Sequence, residues 1–153
     1  MMDTLTLPAK QENLATLVAF IKNAVEKHGG NPKDIYQFHL VSEEIILNII
    51  KYAYPEKTGD IEIKYEFKPK GNPEAEQGTG GEVERKAEMM IRISDQGIPF
   101  NPLEKDKPDI SVPVDQRDIG GLGIFMVRNL VDHLSYERQN NQNVLILIKQ
   151  LTC

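Results

Sequence analysis

Residues Pro32–Tyr54 read PKDIYQFHLVSEEIILNIIKYAY, and the rest of the chain arranges itself around them. Asn31 supplies a cap side chain, Pro32 suits a first helical turn, and Pro55 disfavours helix at Tyr54, so the stretch predicts one long helix. It is apolar almost all round, which marks it as a central element rather than a surface one. Just upstream, His28-Gly29-Gly30 provides a stop for a preceding helix over about Gln11 to Lys27. There Leu14, Leu17, Val18, Ile21 and Val25 form a single buried stripe. Before it, Thr4 to Leu7 alternate Thr and Leu and predict a short edge strand.

Downstream the period changes from helical to two. Ile61, Ile63, Tyr65 and Phe67 alternate with Glu62, Lys64, Glu66 and Lys68, a strand with one buried face. Met89 to Ser94 reads as its neighbour, with Ile91 and Ile93 facing in. Residues 69–87, rich in Gly, Pro and charge, predict a flexible hairpin loop. A second irregular stretch covers 98–119. A third helix starts near Gly121 and carries Ile124, Val127, Leu130 and Val131. Strands over Leu134–Arg138 and Val144–Leu151 follow, joined by the Asn-rich turn Gln139–Gln142. Helices in one layer and strands in the other predict an α+β two-layer sandwich: a mixed, mostly antiparallel sheet covered by about three helices. The 153 residues fit a single domain spanning 1–153.

Composition narrows the function. With 23 Asp and Glu against 18 Lys and Arg the net charge is −5, which argues against direct nucleic-acid binding as the main task. A local phosphate pocket stays open. Cys153 is the single cysteine, so no internal disulfide forms, and a reducing, cytoplasmic setting is expected. The start lacks a basic stretch followed by an apolar one, and no apolar run is long enough to span a membrane. The three histidines, His28, His39 and His133, show no metal spacing.

Three stretches carry unusual chemistry. On the central helix Glu44, Asn48 and Lys51 fall at i, i+4 and i+7, one narrow polar stripe of a carboxylate, a carboxamide and an ammonium. Alone, that stripe reads equally well as a solvated helix face. Ser94-Asp95-Gln96-Gly97-Ile98-Pro99-Phe100-Asn101-Pro102 follows a buried strand. Asp-x-Gly there is commonly a turn, but a Phe held between two prolines is stiff and apolar and suits a pocket wall. Ile119-Gly120-Gly121-Leu122-Gly123 enters the third helix, where free backbone N–H groups and the helix dipole favour an anion. The dinucleotide fingerprint fails because Met126 stands at its third glycine, and no Gly-Lys-Ser/Thr P-loop occurs. The His-Arg-Asp and Asp-Phe-Gly signatures of eukaryotic-type protein kinases are absent as well.

In chain order these stretches resemble the N, G1 and G2 boxes of the ATPase superfamily that holds gyrase, histidine kinases, mismatch-repair proteins and a heat-shock chaperone, the GHKL group with its Bergerat ATP-binding fold. Within it the chain is most similar to the stand-alone anti-sigma-factor serine/threonine kinases. The residues that carry this are Ser42, Glu43 or Glu44, Asn48, Ala53 and Tyr54, then Asp95, Gly97 and Phe100, then the Gly120-Gly121-Leu122-Gly123 box. The Glu-to-Asn spacing favours Glu44. The likeness extends over about Pro32 to Lys149.

The resemblance implies an ATP- and Mg²⁺-dependent kinase that phosphorylates an anti-anti-sigma antagonist protein, sequesters a sigma factor and forms a homodimer. It implies that Asp95 accepts a hydrogen bond from the adenine amino group, that Gly97 leaves room for the ring and that Phe100 lines the pocket. Asn48 would offer its carbonyl oxygen to Mg²⁺. Gly121, Leu122 and Gly123 would donate backbone N–H groups to the phosphates, and residues 98–119 would form the ATP lid. Glu44 would be the general base. Lys51 resembles the histidine-kinase N box, where a lysine contacts phosphate. Arg117 lies two residues further from the glycine box than some of these kinases place an arginine, and Asn143 stands where the superfamily commonly has Thr. Two other readings belong to the same likeness: an ATP-binding regulatory module without phosphotransfer, and a detached histidine-kinase catalytic domain. The short stretch before Pro32 and the lack of a suitably placed phosphoacceptor His weigh against the latter.

Overall fold

Local capping chemistry sets the ends of the helical layer. The structure, a computed structural model, describes residues 3–69, 87–101 and 121–151. Asn31 and Asp34 close a reciprocal box: Asp34 N–H donates to Asn31 Oδ1 at 2.8 Å, and Asn31 N–H donates to Asp34 Oδ2 at 3.1 Å. With Pro32 at the first position this starts helix α2, Pro32–Tyr52. Helix α1, Leu14–Lys27, is entered through a short 3₁₀ turn at Gln11–Asn13. It ends on Gly29, whose φ of 93° only glycine adopts cheaply. Gly30 N–H then reaches Val25 O at 2.8 Å and Gly29 N–H reaches Glu26 O at 3.1 Å, the paired bonds that satisfy the last carbonyls.

Helix α2 stops two residues short of the expected Tyr54. Ala53 is its C-cap, and Tyr54, held out of helix by Pro55, turns its hydroxyl to Asp60 O at 2.7 Å. That same hydroxyl accepts a bond from Gln96 N–H at 2.8 Å. Helix α3, Gly121–Leu130, packs on α2. The expected loop at 69–87 and the expected lid at 98–119, with Arg117, lie outside the described residues except at their ends.

Five strands form one sheet: β1 Asp3–Pro8, β2 Asp60–Lys68, β3 Glu88–Asp95, β4 His133–Gln139 and β5 Gln142–Gln150. Their order is β1-β2-β3-β5-β4, and every pairing is antiparallel. Strands β4 and β5 are joined by a tight turn at Asn140 and Asn141, with φ of 51° and 60°. Asn tolerates that conformation, and two such residues in succession match the twist of the strands they connect.

Register explains where the core stops and the site begins. Directly paired residues share a face, and the period of two repeats it along each strand. One row across the sheet is Asp3, Tyr65, Ile91, Leu147 and Leu134; the next is Leu5, Ile63, Ile93, Leu145 and Tyr136. Their central members are buried under α1 and α2 together with Leu17, Ile21, Phe38, Ile45 and Ile46. Each such side chain contributes on the order of 1.5–3 kcal/mol by leaving water. The third row on that face is Leu7, Ile61, Asp95, Asn143 and Arg138. Halfway across it the face turns from apolar to polar, and those polar residues are still largely covered.

Candidate functional site

Asp95 ends β3 and is buried, as is its partner Asn143 on β5. Burial of two polar groups requires them to satisfy one another. Asn143 Nδ2 donates to Asp95 Oδ1 at 2.9 Å and to Ile98 O at 2.7 Å. Asn143 Oδ1 accepts from the Tyr136 hydroxyl, from Phe100 N–H at 3.1 Å and from Arg138 Nη1 at 3.2 Å. Arg138 Nη1 also donates to Gly97 O at 2.8 Å, and Gly97 N–H returns to Asp95 Oδ1 at 2.9 Å. Residues 97–100 are thereby tied at several points to two strands that follow them by some forty residues.

Burial pushes the Asp95 carboxyl above its ordinary 3.8. The Asn143 amide, the Gly97 N–H and the Arg138 guanidinium oppose that rise by stabilising the ionised form. Both donors fall on Oδ1, and Oδ2 has no protein partner among the described residues. Nor is Oδ2 sealed from solvent: among the described residues Ser42 Oγ is the one buried side-chain polar atom left without a partner. Among the described residues Oδ2 is therefore the one oxygen of this carboxylate that accepts no protein hydrogen bond.

The end of α2 forms the adjoining wall. Ile98 N–H donates to Ala53 O at 2.9 Å. A Cβ on Gly97 would lie 2.2 Å from that same oxygen and 2.7 Å from Ala53 Cβ, so the approach of the two segments already requires glycine. Phe100 is half-buried against Tyr52, ring centroids 5.4 Å apart. Beside the turn, a cavity of 430 Å³ opens between Gly97 and the connection from Tyr54 to Gly59.

Further back on α2 the expected stripe is present. Asn48 is buried, Glu44 is half-buried and Lys51 is exposed. Asn48 Nδ2 faces Glu44 Oε1 at 3.5 Å, which leaves the Asn48 carbonyl oxygen without a protein partner among the described residues. Glu43 Oε2 lies 2.9 Å from His39 Nε2. Gly121, Leu122 and Gly123 form the first turn of α3, so their backbone N–H groups belong to the set a helix leaves without internal partners. Among the described residues no group of three or more His, Cys, Asp and Glu gathers as for a resident metal. No described helix is long and apolar enough to cross a membrane.

Sequence reasoning missed Arg138 and Tyr136, and it met Asn143 only as a departure from a pattern. A signal existed for one pairing. A two-residue turn at Asn140-Asn141 sets Arg138 opposite Asn143, whereas placing Asp95 beside them requires the β3–β5 register, which no local pattern encodes.

Comparison with known proteins agrees with this geometry. Residues 7–149 match the histidine kinase-like ATPase domain. The chain is 25% identical over 142 residues to a serine-protein kinase RsbW from Bacillus thuringiensis (strain Al Hakam), covering 92% of this chain and 79% of that protein. The likeness to proteins of the same name from Bacillus cereus (strain AH820) and Bacillus anthracis (strain CDC 684 / NRRL 3495) is 27%, with the same coverage. A match over nearly the whole chain, on a sheet whose Asp95–Gly97 turn packs against the end of α2, places this protein in the histidine kinase-like ATPase family.

Proposed function

We propose that this protein is an ATP- and Mg²⁺-dependent serine/threonine kinase of the anti-sigma-factor type. Its substrate would be an anti-anti-sigma antagonist, and partner exchange would release or hold a sigma factor. The observation that carries the reading is the combination of a free Asp95 Oδ2 acceptor, braced from behind, with relatives named serine-protein kinases along most of the chain. A homodimer in the cytoplasm is part of the same proposal.

The chain's own groups divide the work. Asp95 Oδ2 accepts from the exocyclic amine of adenine, and Phe100 with Tyr52 gives the base an apolar flank. The first-turn N–H groups at Gly121, Leu122 and Gly123 receive phosphate oxygens, with Lys51 as a nearby cation. The Asn48 carbonyl is a hard oxygen donor and suits Mg²⁺, which would neutralise charge on the phosphates. With no acidic cluster among the described residues, the cation fits a nucleotide-borne ion better than a resident one. Glu44 takes the proton from the incoming serine hydroxyl as the serine oxygen bonds to the γ-phosphorus and the bond to the bridging oxygen of ADP breaks.

The test is transfer of labelled γ-phosphate from ATP to a serine of a protein captured from native cells in the presence of ATP. Glu44→Gln is expected to abolish transfer while nucleotide still binds. Retained transfer would remove Glu44 from its role. Binding without any transfer by the unaltered chain would favour the regulatory-module reading.

A further inference from the structure

Asn143 makes five hydrogen bonds, and their pattern fixes its orientation. Its oxygen faces three donors, the Tyr136 hydroxyl, Phe100 N–H and Arg138 Nη1, while its nitrogen faces two acceptors, Asp95 Oδ1 and Ile98 O. Turned over, the amide would set NH₂ against the Phe100 N–H and Arg138 Nη1 donors and oxygen against two acceptors, losing four of the five bonds and keeping only the one to the Tyr136 hydroxyl, which can also accept. Asp95 is thus always met by a donor from behind. That donor and Gly97 N–H both occupy Oδ1, and Oδ2 alone is left for a ligand. In its ionised form the carboxylate has no proton of its own at Oδ2 and selects a ligand edge that donates.

We propose that Asn143 is the positioning residue for base selection: its amide fixes which Asp95 oxygen faces the base, and its other bonds seat the turn of residues 97–100 beside that oxygen. This rests on the nucleotide reading above and extends it to the discrimination between a 6-amino and a 6-oxo purine. A 6-amino group donates to Oδ2. A 6-oxo group presents lone pairs to lone pairs in a site where neither is well hydrated. Without the Asn143 amide, Asp95 can rotate or take up a proton and offer an O–H, and the preference fades. Arg138 assists by bridging Gly97 O and Asn143 Oδ1, so the strand β4 side chain holds both the turn and the amide.

The experiment compares equilibrium binding of ATP and inosine triphosphate, with Mg²⁺, to the full chain and to Asn143→Ala and Asn143→Leu. The two nucleotides differ at the 6-position and its neighbouring ring nitrogen, with identical sugar and phosphates. Asn143→Leu fills a similar volume without a donor to Asp95, which covers the case in which the space left by alanine unfolds the chain. The unaltered chain is expected to prefer ATP, and each folded variant to lose about tenfold or more of that preference. A purely structural role would weaken both nucleotides alike. A preference kept within about twofold in the variants overturns the assignment to Asn143 alone. An unaltered chain that binds neither nucleotide overturns the nucleotide reading, and this assignment with it.

Discussion

Gly97→Ala probes the closest contact in the site. The added methyl would sit 2.2 Å from Ala53 O and 2.7 Å from Ala53 C and Cβ, and these neighbours are backbone or the first side-chain atom, so no rotamer change relieves the clash. Restoring an ordinary contact requires the turn and the end of α2 to separate by roughly 1 Å. Such a shift takes the 2.9 Å bond from Ile98 N–H to Ala53 O out of range and strains the 2.8 Å bond from Arg138 to Gly97 O and the 2.7 Å bond from Asn143 to Ile98 O. Overpacking costs about 1–3 kcal/mol and each lost hydrogen bond about 1 kcal/mol, so a loss of about 2–4 kcal/mol is expected. In a domain of this size that lowers Tm by roughly 5–15 °C. The assay is thermal and urea denaturation without any nucleotide. That condition separates the protein's own need for glycine from room left for a base, because only the former costs stability in the empty protein. A Tm within 2 °C of the unaltered chain would refute the close approach.

Ser42→Ala removes a sealed hydroxyl that has no partner, so stability should hold or rise by about 1 kcal/mol, read as a higher urea midpoint at unchanged m; a loss above that contradicts the burial argument. Asp95→Asn should trade function for stability. Burial raises the folded-state pKa of Asp95 above its unfolded value, so its contribution to stability is intact below about pH 3.8 and declines as pH rises through the raised value. The variant should therefore match the unaltered chain in acid and equal or exceed it at neutral pH. A variant markedly less stable at pH 7 than at pH 3, relative to the unaltered chain, reverses the sign and counts against it.

The parts of this fold that were legible in the sequence are those set by neighbours along the chain. Asn31-Pro32 with Asp34, Gly29-Gly30 and Asn140-Asn141 each specify their own backbone conformation, so helix starts, the α1 stop and the β4–β5 turn fall where the residues place them. The end of α2 falls two residues before Tyr54: Pro55 disfavours helix there, and the bonds of the Tyr54 hydroxyl to Asp60 and Gln96, which only the folded chain brings near, hold the residue in the connection. The same division holds at the site. Asp95 and Gly97 stand out as a strand-end pair, and Glu44 and Asn48 as a helical stripe. Asn143, Tyr136 and Arg138 look like ordinary strand residues until strands β3 and β5, separated by helix α3, come into register. Gly97 shows a further limit: its motif suggests space for a ring, whereas the structure shows that packing on Ala53 already demands glycine.

The central claim is that Asp95 is the recognition point of an ATP site. Thermal denaturation with and without ATP and Mg²⁺, on the unaltered chain and on Asp95→Asn, tests it most directly. At a nucleotide concentration about a hundredfold above Kd, binding stabilises by about 2.7 kcal/mol and should raise Tm of the unaltered chain by roughly 5–10 °C. Asp95→Asn should fold and show no such rise. No shift in the unaltered chain, or the same shift in both, contradicts the account.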